Sequence, residues 1–244
     1  MMTTFKVFIF STLYHIGVFF LTVVFSMIGI VVLPLNRKKR YRIIRNWAKI
    51  TLVWLKITCN LSWRIEGEEN IPKNPGVVFA KHQSAWETLA LQLVFSEQSQ
   101  VIKRELLFVP FFGWGLASLN PISINRNDGA KALKIILKEA KIRISAGWWI
   151  VIFPEGTRTK VGAEGQYSRT AAAISRASNC PLVPVAHNAG LFWPKGGYLR
   201  YPGEIVMKVG PRVDPFNKSN DQITEEASKW IENTCNSLPT KRKF

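Results

Sequence analysis

At 244 residues the chain can form one domain of ordinary size with a smaller appendage, and it is too short for two full catalytic domains. Its 33 Lys and Arg against 16 Asp and Glu give a formal charge of +17, yet 47% of the residues are hydrophobic, which excludes a disordered basic tail or a histone-like chain. Nine Trp and one nearly continuous apolar stretch turn the expected partner away from nucleic acid and toward anionic lipid or another acidic ligand.

Residues 7–35 are almost uninterrupted Val, Ile, Leu, Phe and Met, more than the ~20 residues that cross a bilayer core. The run ends in Pro34 and then Arg37, Lys38, Lys39 and Arg40, not in a small-residue cleavage site, so an uncleaved membrane segment is expected. Those cations, with Arg42, Arg45 and Lys49, outweigh Lys6 on the other flank, and the positive-inside bias puts the rest of the chain on the cytoplasmic side of the inner membrane. Over residues 43–63, Trp47, Ile50, Trp54, Ile57 and Leu61 recur at steps of three and four, with Arg45, Lys49 and Lys56 off that stripe. This predicts an amphipathic helix that either docks on the domain that follows it or lies in the headgroup layer. Two helices joined by a basic turn could also sink as a hairpin into one leaflet, and the sequence does not separate spanning from half-buried. The expected organisation is a membrane-associating region over 1–63 and an α/β domain over 64–244.

Beyond Trp63, short β-rich runs alternate with helical stretches, the pattern of an α/β layer fold. Strands are predicted at 77–80, 122–124, 149–153, 182–186 and 205–209. A helix is predicted over 128–145, with Leu133, Ile136, Leu137, Ala140 and Ile144 on one face and Lys131, Lys134, Lys138 and Lys141 on the other. The lysine stripe is either a solvated face or a footprint for anionic lipid or an acidic carrier. A last amphipathic helix is predicted over 221–238, followed by a basic tail, Lys241 to Lys243.

Gly-x-Ser-x-Gly, the Walker loop, Gly-x-Gly-x-x-Gly and His-Glu-x-x-His are all absent, which removes the main support for serine hydrolase, NTPase, Rossmann and zinc-protease readings. Cys59, Cys180 and Cys235 are odd in number and lack Cys-x-x-Cys spacing, so no disulfide framework or metal site is expected, and a reducing compartment suits them. Two segments remain: His82-Gln83-Ser84-Ala85-Trp86-Glu87 and Phe153-Pro154-Glu155-Gly156-Thr157-Arg158, each following a predicted strand, where open α/β sheets place their ligands. Residues five apart lie roughly 140° apart around a continuous helix, so His82 can meet Glu87 only across a turn. Ser84 followed by Glu87 is a capping-box pattern that starts a helix at about Ser84 and leaves His82 in the loop before it. Glu87 then either caps its own helix beside an ordinary loop histidine, or it holds one imidazole nitrogen and leaves the other as a base. Arg158 offers a guanidinium suited to bidentate phosphate binding beside Glu155, Gly156 and Thr157; a strand-end turn with an Arg to Glu ion pair is the other reading. Arg126 and Lys103 are further cations at predicted loop positions, and three such cations around one His would make a pocket for a phosphorylated ligand.

In this order and spacing, His82 with Glu87, Arg126, Phe153 to Arg158 and the Val183-Pro184-Val185 strand resemble the glycerophospholipid acyltransferases, specifically the bacterial 1-acyl-glycerol-3-phosphate acyltransferases. The resemblance covers roughly residues 70 to 210, and a two-helix N-terminal membrane motif also fits it. Glu87 stands where Asp is more usual, and residues 120–125 read Asn-Pro-Ile-Ser-Ile-Asn instead of Gly-x-Ile-Phe-Ile-Asp.

The resemblance implies a mixed sheet flanked by helices, and an enzyme that transfers an acyl chain from acyl-CoA or acyl carrier protein to the sn-2 hydroxyl of lysophosphatidic acid, giving phosphatidic acid. His82 would be the general base oriented by Glu87; Arg158, Glu155, Gly156, Thr157, Arg126 and Lys103 would bind the acceptor phosphate. No cofactor beyond the acyl donor and no nucleic-acid partner is implied. Acyl transfer to another lysophospholipid or to an aminolipid uses the same chemistry, and a non-catalytic basic membrane adaptor is the alternative of a different class.

Overall fold

The computed structural model describes residues 4–125, 128–239 and 242. The apolar run forms a single helix, α1 (Thr4–Val31), whose 28 residues extend ~42 Å at 1.5 Å per residue. Helix α2 (Arg37–Ile44) starts where the Asn36 side chain accepts from the Lys39 N–H at 2.9 Å. Helix α3 (Asn46–Cys59) follows directly. The helix expected over 43–63 is therefore interrupted at Arg45 and stops at Cys59, because Asn60 takes the left-handed conformation that ends a helix (φ 49°). The chain then leaves as a strand, β1 (Leu61–Glu66), so Trp63 belongs to the sheet and the boundary expected at residue 63 falls inside β1.

The sheet has seven strands: β1, β2 (Val77–Ala80), β3 (Gln98–Lys103), β4 (Ile122–Ile124), β5 (Trp149–Ile152), β6 (Leu182–His187) and β7 (Gly203–Val209). Their order is β1-β7-β6-β2-β5-β3-β4, with β6–β7 antiparallel and the other neighbours parallel, so the sheet is mixed. The remaining helices are α4 (Trp86–Val94), α5 (Phe112–Ser118), α6 (Gly129–Ser145), α7 (Thr170–Ser178), α8 (Ala189–Phe192) and α9 (Asn220–Ser237).

Central strand β2 is Val-Val-Phe-Ala and buried at every position, since helices cover both faces of a sheet built this way. One core joins the sheet to α1, α3 and α4 through Tyr14, Leu52, Leu55, Trp86 and Leu91. The other joins it to α6, α7 and α9 through Ile136, Ala140, Ile174, Ile223 and Ile231. On α6 the four lysines are exposed as expected, but Leu133 is exposed with them and Arg143 is buried instead. The reason is polar: the Arg143 guanidinium reaches Ser99 Oγ at 3.0 Å and the backbone carbonyl of Asn120.

Helix α1 is apolar enough and long enough to cross a membrane by length and composition. One side of it is nevertheless committed to the domain. Ser11 Oγ accepts from Arg200 N at 2.8 Å, Ser26 Oγ donates to Phe111 O, and Tyr14 is fully buried. Its other side exposes Phe5, Phe8, Ile16, Phe19 and Phe20, and the exposed Ile57, Phe108 and Trp114 lie outside it.

Candidate active site

Strands β2, β3 and β5 run parallel, and the segments that leave their C-terminal ends carry the expected residues: His82 after β2, Lys103 at the end of β3, and residues 153–158 after β5. His82 Nδ1 lies 2.8 Å from Glu87 Oε1. The same oxygen accepts from the Gln83 and Ser84 N–H groups at 3.0 and 2.8 Å. Helix α4 begins at Trp86, two residues later than the capping box implied, because Ser84 Oγ accepts from Trp86 N and not from Glu87 N. The two readings of Glu87 are thus one arrangement, in which a single oxygen ties down the helix start and orients the imidazole.

An acceptor-only carboxylate fixes the Nδ1–H tautomer of His82 and leaves Nε2 as the basic nitrogen. Glu87 is fully buried, which by itself lifts its pKa. His187, with Nε2 at 3.7 Å from Oε2, the His82 ring and the Ser84 N–H more than offset burial and hold the carboxyl below its ordinary value. On its other sides the His187 ring faces Lys81 O, 2.9 Å from Nε2, and Ala189 N, 3.2 Å from Nδ1.

The second segment divides its residues between support and site. Phe153 stacks on the His82 ring, centroids 4.2 Å apart. Gly156 takes a positive φ of 68°, a turn that L side chains adopt only under strain. Glu155 corrects the sequence expectation: its side chain is 1% exposed and does not line the cavity with Gly156, Thr157 and Arg158. Its carboxylate accepts from His82 N at 2.7 Å and pairs with Lys81 Nζ at 2.9 Å, since a buried carboxylate needs a countercharge and N–H donors, and an anionic ligand supplies neither. Nor does it pair with Arg158. Lys81 also meets Glu232 of α9 at 2.7 Å, and these two acids outweigh the burial that would otherwise discharge the ammonium, so its pKa is raised.

A cavity of about 1020 Å³ opens at these strand ends. His82, Lys103, Gly156, Thr157 and Arg158 line it, and so do α1, α3, α4 and α5. Arg126 lies outside the described residues. Lys195 is a cation that the sequence reading missed: it lines the same cavity with Nζ 3.3 Å from Thr157 Oγ1, and its only local signal is a Trp-Pro-Lys-Gly-Gly turn. Lys81 was also missed, although its place directly before His82 made a buried partner necessary. Among the described residues no group of three His, Cys, Asp or Glu side chains comes together as a metal site requires.

A family model described as Acyltransferase matches residues 62–188. The 1-acyl-sn-glycerol-3-phosphate acyltransferase of Pseudomonas aeruginosa is 40% identical over 206 residues, which cover 83% of this chain and 80% of that protein. The enzyme of the same name from Saccharomyces cerevisiae is 28% identical over 183 residues, 72% of this chain and 59% of the yeast protein. In fold, the chain is similar to the crystal structure of the 1-acyl-sn-glycerophosphate acyltransferase PlsC of Thermotoga maritima, with a TM-score of 0.71 over 95% of this chain and all of that one, at 23% identity.

Proposed function

The chain belongs to the acyltransferase family, and within it we propose that it moves an acyl chain from a thioester donor, acyl-CoA or acyl carrier protein, to the free sn-2 hydroxyl of 1-acyl-glycerol-3-phosphate, giving phosphatidic acid. The observation that carries this reading is that His82, its Nδ1 held by Glu87, lines one cavity with Arg158, Lys103 and Lys195. His82 Nε2 takes the proton of the acceptor hydroxyl as its oxygen attacks the thioester carbonyl carbon. Collapse of the tetrahedral intermediate breaks the C–S bond, and the thiolate leaves. A thiol pKa of ~8.5 makes that departure easy, so one base suffices and the imidazolium proton is returned to the thiolate or to water.

The acceptor's phosphate monoester carries up to two charges and would be held by the Arg158 fork, with Lys103, Lys195 and the motif residue Arg126. Gly156 and Thr157 would border it. Fixing the phosphate fixes the hydroxyl beside His82. No cofactor besides the donor enters these steps.

We further propose attachment to the cytoplasmic face of the inner membrane. The exposed apolar side of α1 supports attachment, and Arg37 to Arg40 at its end suit anionic headgroups. Hydrogen bonds from both halves of α1 to the domain favour a helix half-sunk in one leaflet over an independent span.

The test is a panel of lysophospholipids incubated with acyl-CoA or acyl carrier protein thioester and the full-length enzyme, with products identified by mass spectrometry. Phosphatidic acid is the expected main product. Equal or better acylation of lysophosphatidylethanolamine or lysophosphatidylglycerol would reject the acceptor assignment, and no product from any acceptor would reject acyl transfer.

A further inference from the structure

Helix α1 and the turn after α8 form two walls of the cavity that contains His82: α1 contributes Val18 and Thr22, and the turn contributes Trp193, Lys195 and Gly196. Lys195 sits at the tip of that turn, followed by Gly196 at a positive φ of 69° and by Gly197. A long side chain on a glycine-rich turn has little rigidity of its own, so neighbouring contacts decide where its charge stands.

Arg200 supplies those contacts. It is 7% exposed, and no carboxylate pairs with it among the described residues. Its NH1 faces the carbonyl oxygens of Gly197, Tyr198 and Leu199 at 2.7, 3.1 and 3.1 Å, and its guanidinium lies 4.1 Å from the centre of the Trp193 ring. The carbonyls lie after Lys195 and the ring before it, so one side chain brackets the tip of the turn from both arms. The same residue grips α1, for its backbone N–H donates to Ser11 Oγ at 2.8 Å and its NH2 lies 3.2 Å from His15 Nε2. Tyr198 adds a second hold: its hydroxyl is 2.8 Å from Thr12 Oγ1, and its ring stacks on His15 with centroids 4.5 Å apart. A buried cation without a countercharge is costly, and only a planar group with five N–H donors can serve several neutral acceptors and an aromatic face together. That cost falls on the turn that carries a cavity cation.

We propose that Arg200 is a positioning residue for the acceptor: by tying α1 to both arms of the 193–200 turn, it holds Lys195 in place for the acceptor phosphate. The inference rests on the reading in which Lys195 and Arg158 share that phosphate. It makes the seat of α1 on the domain a determinant of acceptor affinity as well as of membrane attachment.

The test uses the full-length enzyme in mixed micelles, with 1-acyl-glycerol-3-phosphate and the acyl donor varied separately. Lys195→Met should raise the acceptor KM on the order of tenfold, the worth of one charge-assisted contact. Arg200→Gln should raise the same KM roughly 5-fold, with kcat and the donor KM within about twofold of wild type. Added to Lys195→Met, Arg200→Gln should cost less than about twofold more, because a residue that acts through Lys195 has nothing left to place. Arg200→Lys should stay impaired, since one ammonium cannot serve both arms of the turn and His15. Tyr198→Ala removes a half-exposed side chain and strands no buried polar group, so it keeps the proposal testable if the Arg200 variants do not fold; it should raise the acceptor KM alone, by about two- to threefold. Equal rises in acceptor and donor KM, full additivity with Lys195→Met, or recovery of the wild-type KM in Arg200→Lys would each overturn the proposal. So would an unchanged acceptor KM in Lys195→Met, which leaves the acceptor reading intact. Failure of the wild type to acylate 1-acyl-glycerol-3-phosphate would sink that reading itself, a result distinct from all of these.

Discussion

Replacing Glu87 by Gln separates orientation of the imidazole from its electrostatic support. The amide oxygen can occupy the place of Oε1 and keep the bonds from His82 Nδ1, Gln83 N and Ser84 N, so the ring should hold its position and tautomer. What disappears is the negative charge facing an imidazolium that exists only once the acceptor proton has moved. Opposite unit charges ~4 Å apart attract by ~4 kcal/mol at an effective dielectric of ~20. If most of that is realised in the transition state, kcat falls by roughly 10²- to 10³-fold while both KM values stay within a few-fold. The new amide NH2 replaces Oε2, which has no hydrogen-bond partner among the described residues, so it adds a buried donor without an acceptor and ~1–3 kcal/mol of destabilisation. For a chain of this size that is a fall of roughly 2–12 °C in the thermal transition. Steady-state kinetics with both substrates varied, alongside calorimetry in detergent, reads both numbers. His82→Ala should remove nearly all turnover with a transition close to wild type. A Glu87→Gln enzyme within about threefold of wild-type kcat, or a His82→Ala enzyme with substantial activity, would refute the assignment of His82 as base.

Arg158→Lys should raise the acceptor KM roughly 10-fold or more through loss of the bidentate fork, with donor dependence less affected; initial rates against acceptor concentration check this. Lys81→Met strips the countercharge from Glu155 and Glu232, and breaking such a buried pair costs ~3–5 kcal/mol, so the thermal transition should drop by at least several degrees. Because the folded Glu87 pKa lies below its unfolded value of ~4.3, its contribution to stability is present above that pH and lost as pH falls through the folded value. Urea unfolding between pH 5 and 3 should therefore be less pH-dependent in Glu87→Gln than in wild type. Phe19→Glu with Phe20→Glu, both on exposed positions of α1, should shift the protein toward the supernatant in liposome flotation without unfolding the domain.

The elements that could be read from the sequence are those whose burial is simple. β2, β5 and β6 are covered on both faces and appear as continuous apolar runs, and α9 starts on a complete capping box between Ser219 and Gln222. β3 was missed because it begins Gln98-Ser99-Gln100, which looks like loop; the fold makes it a buried strand by giving Ser99 the partners Asn120 O and Arg143. β1 was hidden inside a helical stripe that Leu61 happens to continue, since nothing short of the backbone reversal at Asn60 ends α3 there. In the site, His82 and Arg158 announced themselves through local spacing. Lys195, Tyr14 and Thr51 reach the cavity from segments more than thirty residues from either motif, and no local pattern records that approach.

Glu155 illustrates how a motif can be read correctly as a unit and wrongly residue by residue. Within six residues the segment after β5 supplies a ring beneath His82 (Phe153), a carboxylate on its backbone N–H (Glu155), a turn (Gly156) and a guanidinium on the cavity wall (Arg158). The Glu155 carboxylate is turned away from the cavity and paired with Lys81, whose ammonium also meets Glu232 of α9 and Tyr167. Thr159 closes the arrangement by bonding both His82 O and Glu155 Oε1. The base is thus clamped twice, at its ring by Glu87 and at its backbone by Glu155, and the second clamp is anchored in the C-terminal helix. Rigidity of this kind matters for a one-base mechanism, because proton transfer at Nε2 needs the ring within hydrogen-bond reach of a hydroxyl that the phosphate cations position independently.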